Sequence, residues 1–327
     1  GKFLPFHKGH EALIRFALTR CDFLTVLICC SNRESVPATV RKGWMEQTFG
    51  DLPQLEFRVL DYREEELPNT SVSSEEVSRI WSRKFLELFP GYECVITSEK
   101  YGDYIAAFMG ITHIPFDIPR KQVPVSATQI RSAPYREWDF IPASVKPQYC
   151  SKVVILGTES TGKTTLTQQL AQALDGAFVL EAGRDLIPDS NEFTKTDLLE
   201  VAWEHTRRIR LAQDAGKALL LIDTDIHITR SYARFALNLE LAVPDEVVDA
   251  NRAQLYLYLN NDVPFVQDGT RLTETERNLL DASHRQILAE QGIPYVEISG
   301  NWEERFDRAL EAIRERFNAP VRTVLWK

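Results

Sequence analysis

Two short runs in this sequence have the residue types and spacing of phosphate chemistry, and they lie in opposite halves of the chain. The run G-T-E-S-T-G-K-T over residues 157–164 is a complete G-x-x-x-x-G-K-T phosphate loop. Its glycines free backbone N–H groups to surround an ATP triphosphate. Lys163 is placed to bridge the β- and γ-phosphates, and Thr164 to ligate Mg²⁺. Gly157, Thr158, Glu159, Ser160, Thr161, Gly162 and Thr165 complete the expected nucleotide-binding set. The other run, G-K-F-L-P-F-H-K-G-H over residues 1–10, ends in an H-x-G-H pair of the kind that holds a triphosphate during nucleotidyl transfer. One motif moves a γ-phosphoryl group and the other a whole nucleotidyl group, which suggests consecutive steps on one nucleotide.

Nucleotidyl transfer needs alignment of two nucleotides and stabilisation of charge on the transferring group, with no covalent intermediate. His7 and His10, spaced i and i+3, fall at an expected helix start whose N–H groups face a triphosphate. Gly9 lets the backbone approach, and Gly1 and Phe3 belong to the same nucleotide-binding loop. The stretch V-S-A-T-Q-I-R at 125–131 resembles the I-S-x-T-x-I-R signature of the nucleotidyltransferase superfamily. That resemblance implies Ser126, Thr128 and Arg131 acting on the β- and γ-phosphates. A loop of the first type should follow a strand, yet here Gly1 opens the sequence, so the strand is expected to be missing or much shortened.

Around the second motif, Asp223 and Asp225 follow the apolar run 219–222 in the Walker B position. Asp223 is expected to join Thr164 at the metal and Asp225 to contact substrate, with a helix N-cap as the alternative. Glu181 and Arg184 end the preceding strand. Glu181 is expected to accept the proton of an attacking hydroxyl, with Asp223 its competitor, and Arg184 to restrain the acceptor. The segment N-D-V-P-F-V-Q-D-G-T-R at 261–271 reads as an acceptor loop, with Phe265 and Asp268 on substrate, running into a lid whose Arg271 and Arg277 stabilise charge on the phosphoryl group. His205, His227 and His284 lack metal-ligand spacing and read as structural.

The elements that must position these groups alternate short β-branched runs with helical patterns in both halves, the signature of parallel α/β sheets. Strands are expected at 23–30, 55–60, 92–97 and 111–116, then at 152–156, 177–180, 218–222, 255–259 and 294–298. Helices are expected at 9–20, 39–49, 74–89, 101–108 and 164–174. Prolines at 142 and 147 interrupt both periodicities, giving domains 1–147 and 148–327. The 327 residues suit two domains, with 44% hydrophobic and 26% charged residues at the globular norm. A net charge of −9 argues against a nucleic-acid surface. No apolar run is long enough to cross a bilayer as a helix, and five cysteines without a C-x-x-C pair read as reduced thiols in cytoplasm.

Taken in order and spacing, these motifs, with S-E-K-Y-G at 98–102 and D-T-D at 223–225, resemble the NadR family over nearly the whole chain. That family joins a nicotinamide mononucleotide (NMN) adenylyltransferase to a ribosylnicotinamide kinase. The resemblance implies an α/β protein of two parallel-sheet domains, a nucleotidyltransferase-type Rossmann-like domain followed by a P-loop kinase domain. It implies ATP and Mg²⁺ at both sites, nicotinamide riboside and NMN as substrates, and NAD as product. Homo-oligomer formation is left open. Arg41 and Arg120 offer charge for the nucleotides. Trp44 and Trp81 offer ring faces for a nicotinamide, core packing being the favoured alternative for both; Arg41 and Trp81 are carried forward as substrate-binding residues. The family usually has Trp where this chain has Phe265, which implies weaker stacking there. Some members carry a DNA-binding helix-turn-helix ahead of the first domain; none is expected here. Two rival readings are a kinase alone and a nucleotide sensor whose first domain regulates the kinase or a transporter.

Overall fold

A computed structural model describes residues 1–70, 72–187, 192–262 and 273–318 of the protein. The chain divides into two compact units. One comprises Gly1–Ser132 with Glu137–Val145, and the other Ala133–Arg136 with Lys146–Lys327.

The first unit runs α1 (Lys8–Ala17), β1 (Leu24–Ser31), α2 (Ala38–Phe49), β2 (Leu55–Tyr62), α3 (Glu75–Leu88), β3 (Cys94–Thr97), α4 (Tyr101–Met109), β4 (Thr112–Pro115) and α5 (Ala127–Ser132), then a 3-10 turn at Trp138–Phe140. Its strands pair in parallel as β1 with β2 and β3 with β4. The apolar run of β1 buries Val26, Ile28, Cys29 and Cys30, which makes it the inner strand of its pair. On the edge of β1 away from β2 lies Gly1. Its amino group donates to the Leu27 carbonyl at 2.7 Å and its carbonyl accepts from Cys29 N–H at 2.9 Å, the bonding pattern of a parallel neighbour.

The second unit runs α6 (Lys146–Tyr149), β5 (Ser151–Leu156), α7 (Lys163–Ala173), β6 (Ala177–Val179), α8 (Gly183–Leu186), α9 (Lys195–Gln213), β7 (Leu219–Asp223), α10 (Ile226–Leu237), α11 (Asp245–Asn251), β8 (Leu255–Leu259), α12 (Glu274–Glu290), β9 (Val296–Ile298) and α13 (Trp302–Phe317). Its sheet is wholly parallel in the order β6-β7-β5-β8-β9. Every residue of β5, β7 and β8 is buried, as continuous Val/Ile/Leu runs covered on both faces require. Three helices start on reciprocal capping boxes: Thr194 with Asp197, Thr273 with Glu276, and Asn301 with Glu304. The chain leaves β5 toward β7 and β6 on one side and returns on the other through β8 and β9. The crevice at the carboxyl end of β5 is therefore the topological switch point, where such sheets bind ligands. Tyr135, from the short crossing segment, packs against this unit's core.

Among the described residues no helix is long and apolar enough to cross a membrane.

The central strands set the stability of the second unit. Leu221 is wholly buried within β7. Leu221→Ala is expected to destabilise that unit by about 3 kcal/mol, seen as a lowered denaturant midpoint. A loss below about 1 kcal/mol would contradict the packing described.

Candidate functional site

In the first unit the H-x-G-H loop is built around two stacked imidazoles. His7 occupies the N-cap of α1, and its Nδ1 accepts the N–H groups of Gly9 at 3.1 Å and His10 at 3.4 Å. The two rings stack with centroids 3.7 Å apart, and Phe3 meets His10 edge-on at 4.9 Å. Burial, then nearby Arg120, pushes the His7 pKa down to about 4. Burial, His7, the amino terminus and Arg120 hold His10 well below its ordinary value. Both rings are therefore neutral, and because His7 Nδ1 is an acceptor, its Nε2 carries the proton and donates. Gly9 is required by space: a Cβ there would lie 2.9 Å from the His7 ring.

The second motif meets this loop directly. Arg131 donates to the Leu4 carbonyl and, at 3.1 Å, to Thr128 Oγ1. Ser126 Oγ accepts from Gln129 N–H at 3.2 Å and so caps α5. The structure thus brings Gly1, Phe3, His7, Gly9, His10, Thr128 and Arg131 together. In the S-E-K-Y-G run, Glu99 pairs with Arg120 at 2.8 Å.

Arg41 is a correction. Its guanidinium is fully buried, and it donates to the Val36 carbonyl at 2.5 Å, Lys2 at 2.9 Å, Cys29 at 3.4 Å, Cys30 Sγ at 3.2 Å and Glu34 at 2.7 Å. With every donor engaged, it holds the loop from behind instead of facing a substrate. Trp81 likewise packs: its indole N–H donates to Pro68 O at 2.9 Å and its ring meets Tyr62 at 5.0 Å and Phe85 at 5.6 Å. Trp44 is buried in the core.

In the second unit, the phosphate loop joins β5 to α7 through three left-handed residues, Gly157 (φ 138°), Ser160 (φ 62°) and Gly162 (φ 85°). A Cβ on Gly157 would lie 2.7 Å from the Leu259 carbonyl, so the loop can pass β8 this closely only with glycine. Thr161 Oγ1 and Lys163 Nζ both donate to Thr158 O, at 2.7 and 3.0 Å, and Thr165 is exposed on the first turn of α7. Thr164 Oγ1 donates to Asp223 Oδ2 at 2.5 Å across the switch point. Hydroxyl and carboxylate oxygens converging beside a phosphate loop suit Mg²⁺, a hard cation that takes oxygen ligands. Arg277, buried on α12, donates to Thr158 Oγ1 at 3.3 Å, and so the structure joins it to the loop.

Glu181 follows β6 and pairs with Arg184 at 3.5 Å. Burial, aided by Asp223 and Glu159 and opposed by Lys163 and Arg184, raises its carboxyl pKa. Glu159 accepts from Tyr232 at 3.3 Å. Asp225 is the second correction: it is buried at the N-cap of α10, where Oδ1 accepts His227 N–H at 2.9 Å and Ile228 N–H at 3.4 Å. It shapes the turn after β7 and is not presented to a substrate. Phe265, Asp268 and Arg271 lie outside the described residues.

Sequence reasoning missed Arg305, Tyr232 and Trp302. Arg305 is fully buried and donates to the carbonyls of Thr161 (2.9 Å), Gly300 (2.8 Å) and Asn260 (2.7 Å), and to Asp262. On an amphipathic helix it looks like any solvated arginine; its one signal is a place one turn after a Gly-Asn cap. His205 and His284 are structural, bonded to Thr224 O at 3.1 Å and Ser231 Oγ at 2.8 Å.

Burial lowers His205 to about 4 and His284, which Lys163 also affects, to about 3, against an ordinary 6.5. Folded values below the unfolded one mean that the unfolded chain binds more protons. The contribution of these neutral rings to stability is complete above pH 6.5 and is lost as pH falls from there toward 4 for His205 and 3 for His284. Denaturant midpoints are expected to fall steadily between pH 6.5 and 4.5, and His284→Gln is expected to remove about one proton from that dependence. A flat profile would contradict neutral burial.

Comparison with known proteins agrees with these motifs. Residues 152–305 match the AAA domain family. The "Trifunctional NAD biosynthesis/regulator protein NadR" of Escherichia coli (strain K12) is 28% identical over 342 aligned positions, covering 96% of this chain and 82% of its own length. The protein of the same name from Salmonella typhimurium (strain LT2) matches with the same identity and coverage. A crystal structure of NadR with NAD and AMP-PNP superposes with a TM-score of 0.77 at 20% identity, covering 100% of this chain and 97% of that one. Another, of NadR with NR, gives 0.76 at 19% identity and the same coverage. With both phosphate motifs in place and the similarity extending over 96% of the chain, the protein resembles the NadR proteins through both units.

Proposed function

We propose that the second unit phosphorylates nicotinamide riboside and that the first joins the resulting NMN to AMP, so that the chain makes NAD. The observation that carries the kinase reading is the Thr164–Asp223 contact at the mouth of the phosphate loop, with Glu181 on the adjoining strand end. The solved NadR structures hold NAD and AMP-PNP in one case and NR in the other, and the curated relatives are named for NAD biosynthesis. These support the choice of substrates.

At the kinase site the loop N–H groups and Lys163 hold the ATP phosphates. Thr164 and Asp223 would hold Mg²⁺, which when bound neutralises phosphate charge. Glu181 takes the proton of the riboside 5′-hydroxyl as that oxygen bonds to the γ-phosphorus and ADP leaves. Its raised pKa makes it a better base than an ordinary carboxylate. Arg184, paired with Glu181, orients that carboxylate, and Arg277 supports the loop through Thr158.

At the first site an NMN phosphate oxygen bonds to the α-phosphorus of ATP and pyrophosphate leaves, with no protein group changing its bonds. His7 and His10 serve as neutral hydrogen-bonding partners of the triphosphate. Ser126, Thr128 and Arg131 hold its far end.

Mass spectrometry of products from nicotinamide riboside, ATP and Mg²⁺ tests this. NMN followed by NAD is expected. Lys163→Met is expected to lower NMN formation at least 100-fold while leaving NAD formation from supplied NMN intact. His10→Ala is expected to do the reverse, with NMN accumulating. NAD formation that survives His10→Ala unchanged would reject the first-site assignment; NMN alone from the unaltered protein would leave a kinase with a regulatory first unit.

A further inference from the structure

Trp302 is an exposed aromatic residue placed on the phosphate loop. Its side of the loop can be identified from the topology. Trp302 opens α13 directly after β9 and is 60% exposed. The six-membered edge of its indole rests on Gly162: a Cβ there would lie 3.1 Å from Cη2, 3.3 Å from Cε3 and closer still to Cζ3. Gly162 immediately precedes Lys163, so the indole borders the site where the triphosphate would lie.

Its position is fixed before any ligand arrives. Asn301 caps the N–H groups of Glu303 at 3.1 Å and Glu304 at 3.0 Å, and Glu304 returns a bond to Asn301 N–H at 2.9 Å. One turn on, Arg305 ties the same helix to Thr161 O, and its guanidinium lies 5.7 Å from the Trp302 ring centroid. An indole carried on a capped helix start and resting on Gly162 has less freedom to lose, so a ring stacking on it costs less entropy.

Strand order then selects the occupant. The acids that face an acceptor, Glu181 and Asp223, follow β6 and end β7, on one side of β5. Trp302 lies on the other side, past β8 and β9. In-line transfer puts donor and acceptor on opposite sides of the γ-phosphorus. We propose that Trp302 is the stacking platform for the nucleobase of the phosphoryl donor, a nucleoside triphosphate. The proposal rests on the kinase reading of the second unit. Stacking on an indole uses the face of a base, which every base offers, so this contact adds affinity for the base without reading its edge.

The test is steady-state kinetics of ADP release, which reports only the second site because the first releases pyrophosphate, on the full chain with Trp302→Ala and Trp302→Phe. Trp302→Ala is expected to raise KM for ATP about tenfold with kcat and KM for nicotinamide riboside within twofold, and Trp302→Phe to recover most of it. Inorganic tripolyphosphate, competing with ATP, is expected to inhibit all three proteins equally, because it has no base. An unchanged KM for ATP in Trp302→Ala overturns the proposal. So does an equal weakening of tripolyphosphate, which would make the indole a support for the loop, or an effect confined to the riboside KM, which would place the acceptor's ring there. Neither NMN nor NAD from the unaltered protein with nicotinamide riboside would instead remove the kinase reading on which the proposal stands.

Discussion

A loop that turns its N–H groups toward phosphate turns its carbonyls back into the protein, where each needs a donor. In each unit one fully buried guanidinium bonds a loop carbonyl, Lys2 O or Thr161 O, and ties it to neighbouring segments. Arg41 bonds the carbonyls of Lys2, Cys29 and Val36, and Arg305 those of Thr161, Asn260 and Gly300. Arginine suits this task because it carries five N–H donors in a fixed plane and no acceptor. Each buried charge has a carboxylate partner, Glu34 for Arg41 and Asp262 for Arg305. Removing either arginine would take the donor from three carbonyls at once, one of them in a buried contact.

With the loops held from behind, the two sites manage charge in different ways. The first presents histidines kept neutral by burial, with Arg120 and Arg131 supplying cationic charge nearby. That suits a step in which phosphate groups are aligned and no proton need move. The second places Glu181 near Lys163, Asp223 and Glu159, so that this carboxyl is pushed up by burial and its acidic neighbours. That suits a step in which a hydroxyl proton must be accepted. The net charge of −9 says nothing of either, because binding charge here is local.

The parallel α/β fold and most strands were legible because a buried run of Val, Ile and Leu is a local signal. Expected 152–156 is observed as Ser151–Leu156, and expected 255–259 as Leu255–Leu259. The contact of Thr164 with Asp223 was legible for the same reason: each residue sits at the end of such a strand or its loop. Asp225 was misread because an acid after a strand has two uses, and which one applies depends on the helix that follows. Arg41 was misread, and Arg305 overlooked, because a buried arginine and a surface one have the same neighbours in sequence. The bonds that separate them reach 39 and 144 residues along the chain.

Those two separations also make the sites unequal. The loop of the first unit is held by a helix that follows its neighbouring strand, so its support is assembled within a short stretch of chain. The loop of the second is held from α13, after the last strand of the sheet. Thr161 O, Asn260 O and Gly300 O share one guanidinium, which ties the phosphate loop to the segments that follow β8 and β9. Long-range closure of this kind carries its loop entropy before any contact repays it. The phosphate loop, although its sequence is readily recognised, therefore takes part of its support from residues remote from it. The glycines permit the loop, and Arg305 anchors it through Thr161 O.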